Sequence, residues 1–427
     1  MIYEYYQEAL NKLQYRIEAY ADLLVTFAMK IQTGQEMVVR APLEAADFVR
    51  LVVRRAYAAG AARVTCVWDD DTLDRINLEN LSDNELETVP AWKRELYNGL
   101  SHRGAAFLTL LGTDPDNLNG IDASKNALQR RAMNTQCAEW RHNLDFGKAP
   151  WTIASVPITK WAAKVFPEKD GYEAMLALWE AILDASRVSR DRTHTAEQTK
   201  ANWEAHTKNL IAARDFLNKH HFCKLHYTAS NGTDLYVGLN EKSLWATGPM
   251  VQVSGPLFYP NIPTEEVFSS PCRSATHGVV HSALPLVHGG STVRDFWFRF
   301  EEGRVIDYGA QEGKDILTEV INLDDAAHYL GECALISKNT PIKQSGLLYY
   351  ETLYDENASC HLALGRGFAE CIEGGITMSE DELLAAGVNV SAQHVDFMVG
   401  TDDLNIIGTT DQGEEVPIFV QGQWAWE

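Results

Sequence analysis

The chain has 427 residues, 45% of them hydrophobic and 22% charged, with a formal net charge of −22. Its length suggests two or three domains, and its charge argues against a nucleic-acid phosphate backbone as partner. No apolar run is long enough to span a bilayer, and Met1–Glu8 carries acids but no basic stretch, so a cytoplasmic protein with no membrane partner is expected.

From the N-terminus to about Ile31, Leu10, Leu13, Ile17, Leu23, Leu24 and Phe27 recur at helical spacing. Glu36–Arg40 reads as a short strand. Pro42 opens a helix through Phe48, Val49, Val52 and Val53 that Gly60 closes. Arg63–Trp68 and Ala105–Leu111 read as further strands. A helix is expected from about Ala123 to Leu144, a strand over Pro150–Pro157 and a helix from Trp161. Strands separated by helices imply parallel βαβ units, hence an α/β N-terminal domain with a doubly wound parallel sheet over residues 1–185. No Gly-x-Gly-x-x-Gly follows any of these strands, so the usual dinucleotide signature is missing.

A polar helix over Thr195–Lys219 leads into a different texture. Asn231–Val237 reads as a turn followed by a strand, and Phe296–Tyr308 reads as a hairpin turning at Glu301-Glu302-Gly303. Residues 186–427 are therefore expected to form a second, mixed α+β domain. The seven cysteines are scattered and contain no Cys-x-x-Cys, which argues against a disulfide framework or a thiolate zinc site.

The candidate ligands all fall in this second domain. His394 and Asp396 sit two apart in Gln393-His394-Val395-Asp396-Phe397-Met398. On a strand they point to one face, with Val395 and Phe397 on the other. Glu265 and Glu266 follow Thr264, which could instead cap a helical turn and give both acids a helix-start role. Glu332 follows Gly331 at the start of an apolar strand, and Glu356 and His361 flank Asn357-Ala358-Ser359-Cys360. Taken singly, each has an ordinary structural explanation, such as a core histidine or a capped turn. Together they make a set of carboxylates and imidazoles suited to Zn²⁺, Co²⁺ or Mn²⁺, and acidic enough for two ions. Asn231, Asn357 and Asn389 each begin an Asn-X-Ser/Thr pattern, which means little in a cytoplasmic protein.

Several long motifs in order, among them Pro263-Thr264-Glu265-Glu266-Val267-Phe268, Asp355–Gly365 and His394–Met398, resemble the M29 (thermophilic metalloprotease, aminopeptidase T-like) family over nearly the whole chain. The resemblance implies a C-terminal metal-binding domain ligating two divalent ions (zinc, cobalt, manganese or magnesium) through Glu266, Glu332, Glu356, His361, His394 and Asp396. It implies that Glu332 bridges the ions, that peptides are the substrate, and that the protein is a homodimer. The expected activity is that of an aminopeptidase that removes N-terminal residues through a water activated by two metals, with Glu332 assisting proton transfer. The family's catalytic tyrosine falls seven residues after His361, where this chain has Phe368. A phenyl ring cannot donate to a developing oxyanion, and losing one such donor costs about 10²–10³ in kcat. Tyr349, Tyr350 or Tyr354 could substitute, or the metal could act alone. The alternatives are a metal-binding homologue with little turnover and an amidohydrolase acting on a non-peptide amide.

Overall fold

A computed structural model describes residues 2–288 and 291–427, without the side chains of residues 2–7, 9 and 123. Its contacts divide the chain into two compact units. One runs up to Ala205 and includes Pro249–Pro263; the other comprises His206–Gly248 and Thr264–Glu427. The division falls inside the helix Thr195–His220.

In the first unit, strands β1 (Glu36–Pro42), β2 (Arg63–Asp69), β3 (Ala106–Leu111) and β4 (Trp151–Ser155) form a parallel sheet in the order β2-β1-β3-β4. β1 and β3 are central and almost continuously buried, whereas β2, at an edge, alternates with solvent. The order reverses between β1 and β3. Right-handed crossovers therefore place the β1-to-β2 and β3-to-β4 helices on opposite faces, as in a doubly wound sheet. One core holds Val38, Tyr97, Phe107, Ala132 and Ala149, with Trp140 packed against it. Elsewhere in the unit Phe48 stacks on Tyr20 and meets Trp179 edge-on.

The single helix expected over 123–144 is two helices, Ala123–Gln136 and Ala138–Asp145. The cause is a long-range insertion. Asn98 donates its Nδ2 to the Gln136 carbonyl at 3.0 Å and accepts the Trp140 N–H on its Oδ1 at 3.0 Å. Those two backbone groups would otherwise form one i→i−4 helical bond, so the amide wedges the ladder open.

The second unit is built of antiparallel sheets. Its chain forms β5 (Phe222–Thr228), β6 (Asp234–Leu239) and β7 (Ala246–Thr247). A two-stranded ribbon of the first unit, β8 (Met250–Val251) and β9 (Leu257–Phe258), follows. The chain then forms β10 (Val267–Ser269), β11 (Pro271–His281), β12 (Leu286–His288), β13 (Ser291–Glu301) and β14 (Arg304–Glu312). The last six are β15 (Leu330–Leu335), β16 (His361–Gly365), β17 (His394–Met398), β18 (Asn405–Thr410), β19 (Glu415–Val420) and β20 (Gln423–Trp424). Nine strands make one sheet in the order β12-β13-β11-β6-β5-β18-β19-β20, with β14 beside β13. Five make the other, β17-β16-β15-β10-β7. Both contribute to one core. Leu225, Val237, Phe296 and Phe298 of the large sheet lie in the same cluster as Cys333, Leu362, Leu364, Val395 and Phe397 of the small one. The Phe298 and Phe397 rings meet edge-on at 5.1 Å. The small sheet therefore buries one face and leaves the other free to carry charge.

Candidate metal centre

Register decides which side chains share that second face. Ala363 of β16 pairs with Glu332 of β15 on one side and with Asp396 of β17 on the other. Directly opposed residues project together, so Glu332, Ala363 and Asp396 form a row across three strands. His361, Gly365 and His394 lie two positions along, on the same face. The intervening Leu362, Leu364, Val395 and Phe397 point into the shared core. The alternation expected for His394-Val395-Asp396-Phe397 is thus present.

Glu332 reaches this face only because β15 carries a bulge. Leu330 pairs with Leu364 and Glu332 with Ala363, so two steps on β15 match one on β16 and Gly331 is the extra residue. Without it, Glu332 would share the core face of Leu330. Glycine is required there, because a Cβ on Gly331 would sit 2.2 Å from the Arg366 carbonyl oxygen. Gly365 is similarly constrained. Its φ is +108°, and a Cβ would lie 2.3 Å from the Gln393 carbonyl oxygen.

Glu266 enters from the strand order rather than the row. It immediately precedes β10, whose Val267 is a core residue. Thr264 caps no helix; the chain there is irregular and runs directly into β10. Buried Glu265 instead meets the second unit's His206, whose Nε2 donates to the Thr264 carbonyl at 2.7 Å and lies 3.7 Å from the Glu265 carboxylate.

Among the described residues, two triads bring potential ligand atoms within 4.8 Å of one another: Glu266, Glu332 and His361, and Glu332, His394 and Asp396. They share Glu332. The His394 Nε2 is 3.0 Å from both the Glu332 and the Asp396 carboxylates. The His361 Nε2 is 3.6 Å from Glu266 and 3.9 Å from Glu332. Glu356 belongs to neither triad. Its carboxyl is nevertheless pushed well above its ordinary value by burial and then by the charges of Asp396, Glu266 and Glu332, so it faces the same cluster.

Both imidazoles are held in one tautomer. The His361 Nδ1 faces the Glu356 carbonyl at 3.1 Å, and the His394 Nδ1 faces the Arg366 carbonyl at 2.7 Å. A carbonyl only accepts, so each Nδ1 carries the hydrogen and each Nε2 is turned toward the carboxylates. Backbone-anchored imidazoles of this kind are how proteins orient histidine ligands.

The electrostatics are those of a site built for a cation. Burial, and then the charge of Glu332, raises Glu266 to about 8. Burial acts downward on His394, but Asp396 and Glu332 lift it well above its ordinary value. Burial acts upward on Asp396, yet the charge and hydrogen bond of His394 hold it at about 2. Four carboxylates crowded on one face, with two imidazole Nε2 atoms turned toward them, would be relieved together by divalent ions. The donor set, oxygen-rich with nitrogen and no thiolate, fits Zn²⁺, Co²⁺ or Mn²⁺.

Phe368 borders this face. Its ring centroid lies 5.0 Å from that of His394 and 5.3 Å from Phe268, and its N–H donates to the Ser270 Oγ at 2.8 Å. Buried Tyr349 and Tyr354 stack on each other at 4.6 Å. The supporting roles of Ala363, Gly365 and His206 were not read from the sequence. Ala363 and Gly365 carry no chemistry; their signal is smallness within a strand otherwise made of His361, Leu362 and Leu364.

A family model described as thermophilic metalloprotease (M29) matches residues 13–424. Aminopeptidase AmpS of Bacillus subtilis (strain 168) is 41% identical, over 98% of this chain and 100% of that protein. Aminopeptidase 2 of Geobacillus stearothermophilus is 37% identical, with 98% and 100% covered. Among solved structures, wild-type AmpT from Thermus thermophilus matches with a TM-score of 0.89 at 34% identity, covering 97% of this chain and 100% of that one.

Proposed function

The chain belongs to the thermophilic metalloprotease (M29) family, and on that premise we propose that it is a metal-dependent aminopeptidase whose two divalent ions share Glu332. The observation that carries the reading is the pair of ligand triads with one carboxylate in common. Glu266 and His361 would hold one ion, His394 and Asp396 the other, and Glu356 would complete the acidic side. When bound, two such ions supply Lewis acidity, making a water nucleophilic near neutral pH and polarising a carbonyl.

The chain's own residues do the rest. Glu332, buried at the centre of the cluster, is placed to accept the proton of the attacking water. The Glu356 and Arg366 carbonyls keep both Nε2 atoms turned toward the carboxylate cluster, where they would serve as ligands. Phe268 and Phe368 form an apolar wall beside His394, which limits water on that side. The names of the relatives favour peptidase turnover over a binding-only role or a non-peptide amide.

The test is hydrolysis of an aminoacyl-p-nitroanilide and its N-acetylated counterpart by metal-loaded protein. Cleavage only of the free amine is expected; equal cleavage of both would overturn the aminopeptidase reading. Phe368→Tyr places a phenol beside His394 and is expected to raise kcat with little change in KM. A variant with unchanged or lower kcat would show that the native centre needs no such donor.

The same reading takes the protein as a cytoplasmic homodimer. Its free cysteines suit a reducing compartment, and exposed Trp68, Leu73, Ile76 and Trp92 offer apolar surface for a partner. No helix among the described residues is long and apolar enough to cross a membrane. Light scattering is expected to give twice the chain mass; a monomer mass at micromolar concentration would refute the dimer.

A further inference from the structure

Asn357 and Asn389 head two of the Asn-X-Ser patterns, yet both side chains are fully buried, with relative exposures of 0%. Neither can present its amide to a glycosylating enzyme. Their hydrogen bonds point instead to the metal centre. The Asn357 Oδ1 accepts the Glu265 N–H at 2.7 Å, and its Nδ2 donates to the Leu353 carbonyl at 2.8 Å. One amide thus joins the backbone beside Glu266 to the turn that delivers Glu356, whose carbonyl orients His361.

Asn389 does the same for the other triad. Its Nδ2 donates to the Gly365 carbonyl at 2.6 Å and to the Ala326 carbonyl at 2.8 Å. The main-chain carbonyl of Asn389 accepts the Gly367 N–H at 2.8 Å. Gly365 and Gly367 bracket Arg366, the residue whose carbonyl receives the His394 Nδ1–H. The Asn389 Oδ1 accepts Arg273 Nε at 2.9 Å, and that guanidinium lies 3.8 Å over the Tyr329 ring. The chain Arg273–Asn389–Arg366–His394 runs from the half-buried side chain of Arg273 to the ligand atom.

Any buried amide must be satisfied, so hydrogen bonding alone would mean only sound packing. What separates these two is the choice of partners. The Asn357 side chain takes the N–H of the residue directly before Glu266, and the Asn389 side chain takes the carbonyl of the residue directly before Arg366. We infer that Asn357 and Asn389 are positioning residues, each setting the geometry of one of the two ion positions: Asn357 that of Glu266 and His361, Asn389 that of His394 and Asp396.

The inference rests on the metal-centre reading given above. It is tested by titrating Zn²⁺ into the metal-stripped full-length protein against a competing chelator, which yields two binding constants. Asn389→Asp keeps the acceptor for Arg273 but loses every bond that the Nδ2 donates. It is expected to weaken one constant by about 10–100-fold and leave the other unchanged. Asn357→Asp should weaken the other one. In a His394→Ala background, Asn389→Asp should cause no further loss, because both changes act on the same ion.

Arg273→Met, at a half-buried position, should weaken the same constant as Asn389→Asp. It decides the matter for Asn389 if that variant does not fold. Constants that fall together, or that both stay at the wild-type value, would overturn the positioning roles. A wild-type protein that takes up no Zn²⁺ would overturn the metal centre itself, a distinct result.

Discussion

Glu332→Gln is expected to lower kcat/KM by about 10²–10⁴-fold, the usual contribution of a positioned proton acceptor. Glutamine has the same shape, so the packing of β15 is preserved. It is neutral and cannot accept the proton of an attacking water. It also removes the one carboxylate common to both triads, so under the proposed two-ion centre the loss would reach both ions rather than one. Replacing His361 or Asp396, by contrast, removes a ligand from a single triad.

The variant also carries a sign that a folding defect would not. Glu332 lies among Glu266, Glu356 and Asp396, and its charge is one cause of the raised values of Glu266 and Glu356. Removing its charge takes away that cause but also the 3.0 Å contact with the His394 Nε2, so the informative readout is the shift in melting temperature on adding metal rather than the value in chelator-treated protein. The stabilisation gained on adding metal should shrink. A Glu332→Gln protein that still binds two ions and keeps kcat/KM within about tenfold of wild type, below the range for a lost proton acceptor, would remove Glu332 from the shared position.

Stripping the metal is expected to abolish turnover, and reloading should release protons. With no cation among the ligands, burial and then Glu332 hold Glu266 at about 8, and burial with its acidic neighbours holds Glu356 well above its ordinary range. Against the downward pull of burial, Asp396 and Glu332 raise His394 well above its ordinary value. At pH 7 an entering ion must displace these protons. Apparent affinity should therefore rise as pH rises through about 8.

The stability of the stripped protein should move the other way. Glu266 titrates near 8 in the folded chain against an ordinary 4.5, so across that window the folded state binds a proton that the unfolded state lacks. Stability then falls as pH rises. His394 contributes in the same direction, since its folded value also lies above its ordinary one. Asp396, held at about 2, contributes stability that is lost only as pH falls through that value. Melting curves with and without chelator should diverge as pH rises from about 5 to 8, and calorimetry in buffers of different ionisation enthalpy should count the protons. Equal stability curves, or uptake without proton release at pH 6.5, would contradict the clustering of these groups.

Much of this was legible in the sequence where the determining interactions are local. The alternation at His394–Phe397 depends only on strand geometry, and the strands of the first unit follow from their apolar runs and the helices between them. What escaped is long-range. The break at Cys137 depends on Asn98, some forty residues earlier, entering the helix ladder. The facing of Glu332 depends on a bulge that exists because Gly331 must pass the Arg366 carbonyl. Asn357 and Asn389 matched a surface modification pattern, and only tertiary burial shows them to be interior.

The three-strand row has a consequence for how the centre exchanges its contents. β16 is hydrogen-bonded on both sides and buried along its length, with His361 at its first position. Adjacent strands are spaced by about 4.8 Å through the backbone lattice, so the Glu332 and Asp396 main chains are held roughly two such spacings apart and their side chains must lean inward over Ala363. That distance is set by peptide hydrogen bonds and not by side-chain flexibility. The amides of β16 should consequently be among the last to exchange with deuterated solvent. An ion would then leave through the solvent-facing side of the cluster, on a timescale decoupled from the opening of the sheet beneath it.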